Sequence, residues 1–199
     1  MPQQPQELRK APGAEAPVED TVLVARAQQG DRKAFRELVE RHQQGVARTV
    51  VSMLGRSSEV DDVVQDVFIR CYQTLDRFRG EASFSTYVKK IAVNKSLDVL
   101  RRRKRFLGRF LSRDDDGQHM AEPAIDTRKD LEKDERARLV HAAINKLSPK
   151  HRAVVVLRMI EGYSTEETAQ MLNLAYGTVL SRLSRAQKKL EDSLAPLIG

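Results

Sequence analysis

Side chains that catalyse or hold a metal work in company, and such groups are sparse in this chain. Cys71 is the only cysteine, so no intrachain disulfide can form. The four histidines, His42, His119, His141 and His151, lie too far apart in sequence to make a local metal motif. His, Cys and carboxylate residues form no recognisable catalytic set, and there is no phosphate-binding glycine loop. No enzymatic activity, metal or cofactor is expected. What the chain holds in quantity is charge: 35 Lys plus Arg against 28 Asp plus Glu, a net +7. That excess suits a polyanion, either nucleic acid or an anionic membrane surface.

The charge is segregated. In 176–190, YGTVLSRLSRAQKKL, Arg182, Arg185, Lys188 and Lys189 are joined by no acid. Residues 76–113 hold twelve bases and three acids, whereas 59–69 hold four acids and no base. A basic helix facing phosphates would exclude acids. The acidic stretch suits a solvated helix start, where the dipole favours acids, which accounts for Glu59 to Asp62 better than for Asp66.

Helices must position these groups. Apolar residues recur at helical spacing from Asp20 to Arg105, with Val60, Val63, Val64, Val67, Phe68, Cys71 and Leu75 forming one inward stripe. Ser57 or Ser58 is the expected N-cap of that helix, and DRFRGEAS (76–83) is a loop leading into FSTYVKKIAVNKSLDVLRRRKR. No alternating strand pattern appears. Residues 1–19 hold four of the seven prolines and almost no large apolar side chain, so a disordered tail is expected. Residues 114–135 hold nine acids and three bases and read as part of a flexible linker, placed over 106–135. The predicted fold is therefore all-α, with two small helical domains at 20–105 and 136–199. No signal segment opens the chain, and no apolar run approaches the ~20 residues a membrane span needs. A soluble, cytoplasmic protein without stable membrane insertion is expected.

In the second domain, Ser148-Pro149 supplies an N-cap and a first-turn proline, and Gly162 a stop. Ser164 to Glu167 has the form of a capping box. Two short helices then follow, split at the LAY turn, the second basic with Val179 and Leu183 inward. That is the pattern of a helix-turn-helix, and equally of a helical hairpin with a solvated basic face.

The motifs decide between them by resemblance. Gly177-Thr178-Val179, Ser181-Arg182-Leu183 and Arg185-Ala186, together with LSPKHRAVVVLRMIEGYSTEETAQML upstream, resemble the last domain of bacterial sigma factors of the extracytoplasmic-function group. By that resemblance the domain reads the minus-35 promoter element, with Thr178, Ser181, Arg182, Arg185, Lys188 and Lys189 at the DNA. Asn173 to Tyr176 replace the glycine and proline often found in the family's turn, Leu180 stands where a basic residue is common, and Gln187 replaces a frequent arginine. DDVVQDVFIRCY (61–72) resembles the helix by which sigma factors grip the largest polymerase subunit, which implies core-polymerase contacts at Asp62, Gln65, Asp66 and Arg70. FSTY followed by NKSLDVLRR resembles the minus-10 reading segment, which implies DNA contacts at Arg79, Ser83, Ser85, Tyr87, Asn94, Lys95, Arg101 and Arg102. Tyr87 stands where the family usually has tryptophan, and it suits either base stacking or core packing. A membrane-surface helix would want a broad apolar face, and the chain has no Trp. The function implied is a sigma factor that binds core RNA polymerase, recognises and melts promoter DNA, and answers to an anti-sigma factor. The alternative is a helix-turn-helix regulator that binds DNA without being a polymerase subunit.

Overall fold

A computed structural model describes residues 18–110 and 131–198, all of whose regular elements are helical. The expected tail lies outside these residues except for Val18 and Glu19, as does the expected linker apart from its two ends. Those ends are helical, because the flanking helices run past the expected borders at Arg105 and Glu135.

Four helices form the first group: α1 (Asp20–Gln28), α2 (Arg32–Leu54), α3 (Val60–Thr74) and α4 (Phe84–Phe110). Asp31 starts α2, its carboxylate accepting from the Lys33 and Ala34 amides at 2.9 and 3.2 Å. Helix α2 stops at Gly55, whose φ of 76° suits glycine. The cap expected from Ser57 or Ser58 is not made. Glu59 holds the N-cap position of α3 without a side-chain capping bond, its carboxylate accepting instead from Arg103 Nε at 2.7 Å, and the Ser57 hydroxyl also accepts from Arg103 at 2.9 Å. A distant guanidinium on α4 has taken the oxygen that a local amide would otherwise use. Leu23, Leu38, Val50, Val67, Val88 and Ala92 fill the core between these helices.

The second group comprises α5 (Leu131–Asn145), α6 (Pro149–Val155), α7 (Thr165–Leu172) and α8 (Tyr176–Ile198). Pro149 is at the first turn of α6 as expected, but the Ser148 hydroxyl lies against His151 Nδ1 at 3.2 Å rather than capping an amide. After α6 the backbone widens into one π-helical turn, Val156–Ile160, and ends at Gly162 with φ +77°. Val154, Val155, Ala169, Val179 and Ala186 make its core.

The two groups touch. Ala153, Val156, Leu157 and Met171 are buried in the same apolar cluster as the first four helices. Polar contacts line the seam: Arg152 donates to the Met53 carbonyl at 2.7 Å, while Glu161 accepts from Thr49 at 2.5 Å and Lys89 at 2.6 Å. The Lys89 ammonium also lies 5.8 Å from the centre of the Tyr163 ring.

Candidate functional site

The side chains that the sequence singles out fall on three surfaces, with Ser85 and Tyr87 set apart from the rest. On the first, α7 begins with the expected capping box: Ser164 Oγ accepts from the Glu167 amide at 3.1 Å, and the Glu167 carboxylate accepts from the Ser164 amide at 2.7 Å. The Ser164 amide first, and then the nearby Ser164 hydroxyl, hold the Glu167 carboxyl below its ordinary value of 4.5. Asn173 then adopts the left-handed conformation with φ 52°, the turn that glycine often supplies. This tight reversal lays α8 across α6 and α7. Val179 and Ala186 face inward, which leaves Ser181, Arg185, Lys188 and Lys189 exposed and Thr178 and Arg182 half-buried. Ser181 donates its hydroxyl to the Thr178 carbonyl at 3.1 Å, so its remaining capacity is that of an acceptor.

His151 joins this surface unannounced by the sequence. Its pKa is lowered, first by burial and then by Lys189, Arg182, Arg185 and Lys150. The start of α6 therefore faces the basic helix. Only the packing of α6 on α8 brings these positions together, and no spacing in the chain signals it.

The second surface belongs to α4. Asn94 and Arg101 are exposed on one side of it. Lys95 leans toward α3 and pairs with Asp66 at 3.5 Å, and Arg102 lies 3.7 Å from Glu59. Arg79 is exposed in the preceding loop. Ser83 serves as a cap, accepting from the Thr86 amide at 3.1 Å. Ser85 faces α2, where it shares a cleft with Arg41, His42 and Lys89. Nine residues separate it from Asn94, about half a turn around the helix at ~3.6 residues per turn. Tyr87 packs inward: its ring is 4.7 Å from that of Phe78, and its hydroxyl lies 2.6 Å from the Thr74 hydroxyl and donates to the Thr74 carbonyl at 3.0 Å. Burial raises its pKa. Tyr87, which by sequence suits either base stacking or core packing, is thus partly buried, with Phe78 beside its ring and Thr74 at its hydroxyl.

The third surface lies along α3, where Asp62, Gln65, Asp66 and Arg70 are all exposed. Beside them runs a groove of about 710 Å³ between α2 and α3, floored by Phe35, Val39, Val64, Phe68, Ile69 and Tyr72 and edged by Gln65 and Asp61. Ile69 and Tyr72 are each nearly half exposed. The sequence carried a signal for them, since both are large apolar residues outside the inward stripe of α3. Polar groups beside an apolar floor suit a protein partner. No cluster of His, Cys, Asp and Glu able to hold a metal occurs among the described residues. No helix among them is long and apolar enough to cross a membrane.

Comparison with known proteins finds relatives of both halves of the chain. The family model for sigma-70 region 2 matches residues 38–106, and that for sigma-70 region 4 matches residues 137–190. The chain is 38% identical over 187 residues to the ECF RNA polymerase sigma-E factor of Escherichia coli, covering 90% of this chain and 96% of that one. It is 35% identical over 186 residues to the ECF RNA polymerase sigma-E factor of Haemophilus influenzae, covering 90% and 97%. Among solved structures it resembles CnrH in complex with the cytosolic domain of CnrY, with 32% identity, a TM-score of 0.62 and coverage of 89% and 97%. It shares its fold with the sigma factor RpoE of Bartonella quintana in complex with the anti-sigma factor NepR, at 23% identity and a TM-score of 0.61 over 82% and 98% of the two chains.

Proposed function

The chain belongs to the sigma-70 family of RNA polymerase sigma factors, in its extracytoplasmic-function group, and on that premise we propose which of its surfaces does which part of the work. It is a sigma factor: it acts with core RNA polymerase and directs transcription initiation at promoters. The observation that carries this is the match of both halves, in order, across nine-tenths of the chain. A regulator acting without polymerase is not favoured, because the first half also matches a sigma-factor region and the relatives that match both halves are sigma factors. Sigma factors are non-enzymatic subunits, so no catalytic role is assigned, and a cytoplasmic location follows from the partner.

The division of labour follows the three surfaces. The exposed α3 acids, Gln65, Arg70 and the adjoining groove serve the polymerase. Asn94, Arg101, Arg102 and Lys95 on α4, with Arg79 in the loop before it, serve the opened minus-10 strand. Basic side chains track its phosphates, and the Asn94 amide offers hydrogen bonds to unpaired base edges. Ser181, Arg182 and Arg185 on α8 serve the minus-35 element, an arginine fork matching guanine O6 and N7, while Lys188 and Lys189 hold phosphates. Thr178, at the helix start, completes this set. Residues 20–105 and 136–199 work as the two DNA-reading units. An anti-sigma factor is the expected regulator, since CnrH and RpoE are both seen with such a partner or with a bound cytosolic domain.

Reconstitution tests the assignment. The purified chain should co-elute with core polymerase and confer run-off transcription from a subset of promoters. A chain that binds DNA yet never joins core polymerase would refute it.

A further inference from the structure

Helix α8 has a second exposed feature besides its basic side chains. Leu180 is 45% exposed and Tyr176 49% exposed. They stand one turn apart on one flank of the helix. Elsewhere on the described part of α8 the large apolar residues are sheltered: Val179 is buried, and Leu183, Leu190 and Leu194 are at least partly covered. A leucine held in water on such a helix contributes nothing to the core it could have joined.

We propose that Leu180 is a specificity residue, packing its methyl groups against the C5-methyl of a thymine in the minus-35 element. The inference rests on the reading of α8 as the helix that enters the major groove. Within that groove the thymine methyl is the apolar feature that a base edge presents, and it is what an aliphatic side chain can recognise. Leu180 is the fifth residue of α8, directly before Ser181, and the N-terminal residues of such a helix are the ones that meet base edges. The surroundings favour DNA over a protein occupant: Arg182, Arg185, Lys188 and Lys189 share the helix, with no acid from Tyr176 to Leu190. Tyr176 continues the apolar strip toward the helix start. A basic side chain at position 180 could pair with phosphate or guanine, so leucine there moves the preference toward a methyl.

The test uses the full chain assembled with core polymerase. A preferred minus-35 sequence is first selected from a randomised library, and each of its thymines is then replaced singly by uracil, which removes the methyl and keeps every hydrogen-bonding edge. One replacement should weaken binding by about fourfold, the worth of one buried methyl at ~0.8 kcal/mol. Leu180→Ala should lose about as much on thymine DNA and nothing further on uracil DNA. Wild-type indifference to every uracil, an equal uracil response in Leu180→Ala, or a selected element without thymine would each overturn the inference. If Leu180→Ala instead weakened only the grip of an anti-sigma factor, the strip would be a protein-docking surface and the thymine reading would fall. A holoenzyme that assembles but selects no minus-35 sequence would sink the reading of α8 itself, a result distinct from selection without methyl sensitivity.

Discussion

Asp62 and Asp66 are open to a partner because α3 turns its apolar stripe inward and leaves both residues exposed. Asp66 also meets Lys95, an ion pair with 61% and 35% of the two side chains exposed, which is worth little in isolation. Replacing Asp62 and Asp66 together with Lys should therefore abolish co-elution with core polymerase while leaving the helical circular-dichroism signal intact. Unchanged co-elution would remove both residues from the interface. His151 makes a different claim. Burial and the cations Lys189, Arg182, Arg185 and Lys150 lower its folded-state pKa, so the folded protein disfavours the imidazolium. Stability is then complete above the ordinary imidazole value of 6.5 and declines as pH falls below it. Chemical denaturation at about pH 7.5 and about pH 5.5 should show this decline shrinking in His151→Asn by less than about 1 kcal/mol, given solvent screening. An identical decline in the variant would mean that other groups carry the pH dependence.

Helix α7 is only eight residues long and depends on its ends. Ser164→Ala removes the capping acceptor and should cost about 1 kcal/mol by urea denaturation. The companion bond depends on pH in a definite sense: the lowered Glu167 pKa adds stability above the ordinary 4.5 that is lost as pH falls below it. The π-helical turn at Val156–Ile160 is the other informative element. It ends the α6 segment with Leu157 completely buried in the cluster that both helical groups share. Leu157→Ala should cost about 2–5 kcal/mol, because the cavity would open where two bodies meet and neither alone can close it. A loss below about 1 kcal/mol, at the bottom of the usual range, would mean that the seam contributes little to stability. Periodicity showed α6 continuing through this stretch to Gly162, but not its widening, since a π turn leaves no mark on an apolar run such as VVVL.

At the scale of the molecule, the seam between the two groups bears on function. Promoter elements named for positions minus 10 and minus 35 are roughly 25 base pairs apart, about 85 Å at ~3.4 Å per pair. A compact chain of this size has a radius of gyration near ~16 Å and cannot reach both while its halves touch. On the proposed division of labour, the clasp of Glu161 with Thr49 and Lys89 is expected to release when both elements are engaged. Fluorophores on cysteines introduced into exposed positions of α3 and α8 should report a short distance in the free protein and a long one in the promoter complex. Selective labelling is feasible because Cys71 is buried and its thiol is pushed up to about 12. Glu161→Ala should lengthen the distance in the free protein, whereas an unchanged distance in the promoter complex would refute the opening. The amino-acid sequence by itself determined the helices, the order of the two halves, the capping box at Ser164 and the basic character of α8, because periodicity, caps and charge are local properties that each segment carries with it. Tertiary structure alone decided that Tyr87 packs inward, that Arg103 takes the hydroxyl of Ser57, that His151 joins the basic surface and that Glu161 links the two groups. Each of these depends on which distant atoms arrive within hydrogen-bonding or packing distance, and local spacing holds no record of that.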